Sequence, residues 1–460
     1  MTKGRKNAII VIFGFCGIHS MKLRDTLDID EKGRLRIGGC DCVALAEQYG
    51  TPLYVMDETH IRNMCRGYIR LLQEKYPNAT VAYASKAFST LAIYEIVRQE
   101  GLGADVVSGC ELYTALKAGM PADKIYFHGN NKSPAELALA VREGVHAVVV
   151  DSLYEIDVLN VIAGKAGAVQ NVLVRVNPGI DAHTHRFIQT TRPDSKFGFS
   201  IADGTAQEVI CGLSEKKNLR FAGLHCHIGS QIFELKPFAL AVDKMTDFME
   251  RLFVTCGLTV EELNLGGGYG VTYTDEDKPL APWQYVDAIV EQLTACLQKK
   301  KIAPPKLVLE PGRSIVGEAG ITLYTVGAVK EIKGLKKYIA VDGGMFENPR
   351  YALYQSKYDA AIADRANQPP AETVTVAGKC CESGDILIED IRLPSVRSGD
   401  VLAVFTTGAY NYSMASNYNR NAVPPVVLVQ NGESDYIVKP QSYEDIVARD
   451  AIPARLGERK

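Results

Sequence analysis

The sequence predicts an α/β chain: a (β/α)8 TIM barrel followed by a mainly antiparallel β domain of sandwich or barrel type. Three observations carry this prediction. From about residue 50, short β-branched runs alternate with amphipathic stretches of helical length, which implies parallel βα units. Eight such runs imply a closed barrel. After about residue 315 the segments shorten and are divided by turn residues, as antiparallel strands are.

Taken in chain order, residues 1–20 conform to neither part. Lys3, Arg5 and Lys6 precede an apolar run from Ala8 to Ile18 that imitates a signal peptide but is too short to span a bilayer. The reading is a leader or an over-extended start, with the folded chain beginning near Met21. Residues 21–50 hold a hairpin over Leu27 to Ile37, turning at Glu31-Lys32-Gly33, which is expected to join the C-terminal domain. Residues 51–315 are assigned to the barrel. Its strands are Val81–Ser85, Ala104–Val107, Ile125–Phe127, Ala147–Val150, Val172–Val176, Ala222–Cys226, Glu262–Leu265 and Leu307–Leu309. Between them apolar residues recur at helical spacing, as at Leu91, Ile93, Tyr94, Ile96 and Val97. Gly101, Gly119, Gly144 and Gly257 stand where helices would stop. An open doubly wound sheet is disfavoured because no G-x-G-x-x-G follows the first strand. Residues 316–460 form the β domain, with strands at Ile321–Val326, Lys337–Val341, Glu372–Val376, Val401–Phe405 and Val426–Val429.

Composition narrows the function. The chain has 460 residues, 51 Lys+Arg against 54 Asp+Glu, and a net charge of −3. That balance gives no basic footprint for nucleic acid or anionic membrane, so neither is expected as a partner. The 11 cysteines include no C-x-x-C and no zinc-like spacing with His, so no metal is expected. An odd, scattered set reads as reduced thiols in a cytoplasmic protein.

Barrel enzymes build their sites at the C-terminal ends of the strands. Here the first strand ends in Ser85-Lys86-Ala87, the sixth in His225-Cys226-His227-Ile228-Gly229-Ser230-Gln231, the seventh in Gly266-Gly267-Gly268-Tyr269-Gly270 and the eighth in Glu310-Pro311-Gly312-Arg313. Each has an ordinary explanation when taken alone. A single Lys closing an apolar strand is usually solvated, a Gly run is usually a tight turn, and a His there is as often a core residue. Together they describe more. A desolvated Lys86 loses its proton easily and can capture an aldehyde. A Gly-rich turn after the seventh strand can cradle a phosphate. Glu310 can hold a ring nitrogen protonated, and His227 can stack on a flat ring. That combination describes a pyridoxal 5′-phosphate site.

These motifs, with Tyr83-Ala84 before Lys86, resemble the fold-type III pyridoxal-phosphate decarboxylases, which pair an alanine-racemase-like barrel with a β domain. Within that group the resemblance is to the branch acting on meso-diaminopimelate. It is carried by Gly129-Asn130-Asn131-Lys132-Ser133, Asp181-Ala182-His183-Thr184-His185, Ser195-Lys196-Phe197-Gly198, Arg350-Tyr351-Ala352-Leu353-Tyr354, Cys381-Glu382-Ser383-Gly384-Asp385 and Gly408-Ala409-Tyr410. The likeness spans roughly residues 27 to 430. It implies decarboxylation of meso-2,6-diaminopimelate to L-lysine and CO2, the last step of lysine biosynthesis. It further implies Lys86 as the Schiff-base lysine, His227 against the pyridine face and Glu310 at the ring nitrogen. Gly268 with its neighbour Gly267, and Tyr410, would hold the phosphate, and Ser230 and Gly312 would also bind the cofactor. Arg313, Arg350 and Tyr354 would bind the substrate's far carboxylate, and Tyr410 would also contact substrate. Cys381 would donate the proton, and Glu382 would meet the distal amino group. In the family those last two enter from the partner subunit, so a homodimer with composite sites is implied. Cys381 is preferred over Cys380 because it directly precedes Glu-Ser-Gly-Asp.

Two rivals have clear discriminators. A decarboxylase of arginine, ornithine or carboxynorspermidine would not need the acid-binding pair Arg313 and Arg350, and ornithine-type enzymes tend to carry Asp where this chain has Glu382. A catalytically dead homologue that regulates a partner would have lost Lys86, Cys381 or the Gly-rich loop.

Overall fold

Residues 23–180 and 195–456 are described by the computed structural model. The leader, Met21 and the Asp181–His185 motif lie outside them. The eight barrel strands are Ala79–Ala84, Gly103–Val106, Ile125–Phe127, Ala147–Val150, Gln170–Asn177, Leu219–His225, Glu262–Asn264 and Lys306–Leu309. Each pairs in parallel with the next. The eighth then pairs with the first, Leu307 opposite Ala79, and the sheet closes. Every barrel strand read from the sequence is among these eight. Closure buries both faces, which is why the strands read as continuous apolar runs rather than alternating ones. Inside the barrel, Ala82, Tyr126, Ala147, Val149, Leu173, Ala222 and Val308 form one packed cluster, so the interior is a core and not a pore.

The helices lie outside. Leu91–Gln99 buries Ile93, Tyr94, Ile96 and Val97 and is capped by the Thr90 hydroxyl. Pro134–Glu143 starts with a capping box between Ser133 and Glu136 and ends at Gly144, whose φ of 69° favours a residue without a Cβ. The helices thus point their apolar faces at the strands, leaving the strand C-termini open for chemistry.

The second sheet runs in the order Ile386–Leu393, Glu372–Ala377, Lys336–Val341, Gly320–Ile332, Leu53–Asp57, Val426–Gln430, Glu433–Val438. Val401–Val404 pairs off this path with Gly320–Ile332 and with Ala360–Ile362. All pairings are antiparallel except Lys336–Val341 with Glu372–Ala377 and Leu53–Asp57 with Val426–Gln430. Leu53–Asp57 lies in the span read as barrel, yet its partners are Gly320–Ile332 and Val426–Gln430. A buried apolar run followed directly by the helix Glu58–Lys75 imitates a βα unit; hydrophobicity reports burial, not the neighbour that supplies it. The hairpin Asp28–Ile29 with Leu35–Ile37 forms its own small sheet with Cys40–Asp41. It joins the second sheet by packing, Leu35 and Ile37 against Leu53, Ile321 and Val427, and through the hydrogen bond from Leu35 N–H to the Ala363 carbonyl (2.8 Å).

Two further outcomes concern thiols and membranes. Cys211 and Cys256, at the ends of Thr205–Gly212 and Lys236–Cys256, are joined in a disulfide with Cα atoms 5.9 Å apart. Uniformly reduced cysteines were expected, and this pair departs from that. Its 45-residue separation hides what helix packing brings together. The other described cysteines are free. Among the described residues, no helix is long and apolar enough to cross a membrane.

Candidate active site

The strand ends converge on a cavity of about 410 Å³ where the barrel mouth meets the second sheet. Lys86, His227, Ser230, Arg313, Arg350, Tyr354 and Tyr410 all line it. A smaller, deeper recess continues from it, lined by Lys86, His227, Ser230, Gly268, Glu310, Gly312 and Tyr410. These are the residues assigned to the cofactor, apart from Gly267, which sits between Gly266 and Gly268 on the recess wall's loop.

Lys86 stands on the single 3₁₀ turn Ser85–Ala87 that ends the first strand. Its amine lies 3.3 Å from Asp105 Oδ2, on the second strand. Burial is the largest single effect and would lower its pKa, but the Asp105 carboxylate, Tyr410 and Glu310 together outweigh it. The free amine is therefore held protonated. This corrects the expectation that desolvation leaves Lys86 easily deprotonated: a buried partner anion reverses the sign.

Glu310 follows the eighth strand and is 4 % exposed. Its Oε1 accepts from Asn264 Nδ2 at 2.6 Å and lies 2.7 Å from His128 Nε2. Its Oε2 lies 3.2 Å from His225 Nε2. Burial would raise the carboxyl pKa, yet the two imidazoles more than offset it, and Glu310 is held ionised well below the usual range. His225 is pushed down to about 3 by burial, despite the Glu310 carboxylate beside it. It is thus neutral, with Nε2–H assigned as donor to Glu310. His128, His225 and Glu310 place one ligand atom each within 4.8 Å of one another, and both imidazoles contact the Glu310 carboxylate. His227 is also driven neutral, by burial first and then by the Lys86 and Arg175 cations. Its Nδ1 accepts from Gly267 N–H at 3.3 Å.

The Gly-rich loop is pressed between its neighbours. A Cβ on Gly267 would meet the Glu310 carbonyl at 2.1 Å, and one on Gly268, at φ 107°, would meet the Gly229 carbonyl at 2.2 Å. Backbone here approaches backbone, so no side chain of the loop's glycines fills the space beside the recess. An amine, a buried ionised carboxylate, a neutral imidazole and a cradle that only glycine can form fit pyridoxal 5′-phosphate.

Arg313 and Arg350 line the cavity at 8 % and 6 % exposed, and Arg313 borders the recess as well. Arg313 donates to the Tyr273 hydroxyl and to Ser230 Oγ (3.0 Å), and Arg350 donates to the Tyr358 hydroxyl (2.8 Å). Among the described residues neither guanidinium is within ion-pair distance of a carboxylate. Two buried cations without a counter-ion make a site for an anion.

Cys381 and Glu382 do not join this assembly. They sit exposed on the loop between Glu372–Ala377 and Ile386–Leu393, and neither lines the cavity of its own chain. The loop is pinned by buried Asp385, which accepts from Met345 N–H and Cys380 N–H, both at 2.6 Å. Asp385 leaves no room for a side chain at Gly378, where a Cβ would lie 2.3 Å from its carboxylate. Burial and Asp385 push the Cys380 thiol up to about 11, so Cys381 is the more available of the adjacent pair.

Sequence reasoning missed Asp105, His128, Asn264 and Tyr273, and gave His225 no role. A signal for the first three was present: each is a polar residue within or just after an apolar barrel strand.

A family profile described as pyridoxal-dependent decarboxylase, pyridoxal binding domain, matches residues 62–317. A diaminopimelate decarboxylase of Bacillus subtilis (strain 168) is 48% identical over 437 residues, covering 95% of this chain and 99% of its own length. One from Bacillus methanolicus is 48% identical over 419 residues, covering 91% of this chain and 97% of its own. The crystal structure of a diaminopimelate decarboxylase from M. jannaschii in complex with L-lysine superposes with a TM-score of 0.88 at 37% identity, covering 94% of this chain and 99% of that one.

Proposed function

The chain belongs to the diaminopimelate decarboxylase family of pyridoxal-dependent carboxy-lyases, and from that premise we propose that it converts meso-2,6-diaminopimelate to L-lysine and CO2. The observation that carries this reading is the pair Arg313 and Arg350, two buried guanidinium groups without a carboxylate partner among the described residues, in the cavity that Lys86 also lines. A cavity that combines an amine with an anion site of two guanidinium groups fits an amino acid with a carboxylate at each end.

The roles follow from each group's surroundings. Lys86 would bind the cofactor covalently, and Asp105 would hold and release the charge on its amine. The loop around Gly267 and Gly268, with Ser230, Gly312 and Tyr410, would hold the phosphate. Glu310, kept ionised by His128, His225 and Asn264, would pair with the ring nitrogen. His227, being neutral, can lie against the ring face without opposing that nitrogen's positive charge. When bound, pyridoxal 5′-phosphate supplies the electron sink for the carbon that loses CO2. Arg313, Arg350 and Tyr354 would fix the retained carboxylate, so that the reacting centre and not the distal one faces Lys86. A product of L configuration requires loss of the carboxylate from the D centre. Our reading includes a homodimer in which Cys381 of the partner subunit delivers the proton to that carbon and Glu382 of the partner subunit meets the distal amino group. Support for it is that both residues are exposed and absent from their own chain's cavity lining.

Truncating either arginine tests the specificity. Arg313→Ala or Arg350→Ala should remove a charge-assisted contact of roughly 1.5–3 kcal/mol, lowering kcat/KM for the diacid about 10- to 150-fold. Residual turnover of L-lysine or L-ornithine, which have no far carboxylate, should change much less. Equal losses on both substrate kinds would make the arginines structural and remove the basis of this reading.

A further inference from the structure

Tyr273 touches both arginines. It follows the Gly-rich loop and is 6 % exposed. The Asp277 carboxylate fixes its turn, accepting from the N–H groups of Tyr273 (2.9 Å) and Thr274 (3.0 Å). Arg350 Cζ lies 4.4 Å from the centre of the Tyr273 ring, and Arg313 Cζ lies 5.7 Å from it. Arg313 also donates to the Tyr273 hydroxyl. Tyr358, which accepts from Arg350, meets the Tyr273 ring edge-on with centroids 5.5 Å apart.

Two guanidinium groups brought together out of water repel one another. An aromatic face carries negative electrostatic potential and attracts each of them. The hydroxyl adds a directional contact to one of the two. One side chain thus offsets the repulsion and sets the angle and spacing of the pair.

We propose that Tyr273 is the positioning residue of the far-carboxylate site, so that preference for a ligand with that carboxylate resides in Tyr273 as well as in Arg313 and Arg350. The inference rests on the reading above, which assigns the two arginines to the carboxylate.

Calorimetric titration of the holoenzyme tests it without turnover, using two ligands of one carbon skeleton. Bound as product, with its ε-carbon at the reacting end, L-lysine presents its one carboxylate to the far site; 1,5-diaminopentane has none. Wild type should bind L-lysine the more tightly. Tyr273→Phe keeps the ring and loses only the hydroxyl, and should weaken L-lysine about 3- to 10-fold. Tyr273→Leu removes both ring and hydroxyl, and should weaken it about 10- to 100-fold, the range of one cation–π contact plus one charged hydrogen bond. Affinity for the diamine should change less than about twofold in both variants. Unchanged L-lysine binding in Tyr273→Phe and Tyr273→Leu, or parallel loss of both ligands, would overturn the proposal. Arg313→Ala run beside them separates the two levels. If it weakens L-lysine and the Tyr273 variants do not, only this inference fails. If Arg313→Ala also leaves L-lysine binding unchanged, the carboxylate site itself is misassigned and both readings fall.

Discussion

Lys86→Ala is expected to purify without the visible absorbance of bound cofactor and to show no measurable turnover. Lys86 is the only lysine lining the inner recess among the described residues, so no second amine stands ready to replace it. The substitution also strips Asp105 of its cation. Asp105 Oδ2 loses the 3.3 Å contact, and its other oxygen is left 3.7 Å from His128 Nε2. A buried carboxylate deprived of its partner costs about 1–3 kcal/mol, so a modest fall in Tm should accompany the loss of activity. Lys86→Ala combined with Asp105→Asn should recover part of that Tm and none of the turnover. Borohydride treatment of wild type, followed by peptide mass mapping, should place the reduced cofactor on Lys86. A cofactor adduct on another lysine, with activity retained in Lys86→Ala, would refute the assignment.

Cys381→Ala should behave in the opposite way. Its cofactor absorbance should match wild type, because Cys381 lines neither the cavity nor the recess of its own chain. Turnover should fall by about 10²- to 10⁴-fold, the usual loss when a positioned proton donor is removed. The two variants then carry lesions in different halves of one composite site. Mixing inactive Lys86→Ala and Cys381→Ala homodimers under subunit exchange makes heterodimers with one doubly damaged site and one intact site. Activity should return to about a quarter of wild type by counting over two shared sites. Exchange demonstrated by native mass spectrometry without any recovery would mean that the sites are not shared.

The barrel was legible in the sequence because a closed parallel sheet buries both faces of every strand, and eight unbroken apolar runs leave few alternatives. Leu53–Asp57 shows the limit of that signal. It is as apolar as a barrel strand and precedes a helix as barrel strands do, but its partners lie more than 250 residues away. The four strand-end motifs led to Lys86, His227, Glu310 and the Gly-rich loop because each pairs a reactive group with a distinctive turn. Asp105, His128 and Asn264 have no such turn, and their importance emerges only when the strands bring them around Lys86 and Glu310. The protonation of Lys86 is hidden for the same reason: its sign depends on Asp105, 19 residues away in sequence, together with Tyr410 and Glu310. The Cys211–Cys256 pair depends likewise on how two outer helices end side by side.

The most direct test of the whole account is product analysis by mass and chirality. The purified protein, supplied with pyridoxal 5′-phosphate, would be incubated separately with meso-diaminopimelate, L-lysine, L-ornithine and L-arginine. The account predicts L-lysine and an equivalent of CO2 from meso-diaminopimelate, with little or no diamine from the other three. Efficient conversion of L-lysine or L-ornithine to its diamine, with meso-diaminopimelate left intact, would contradict it.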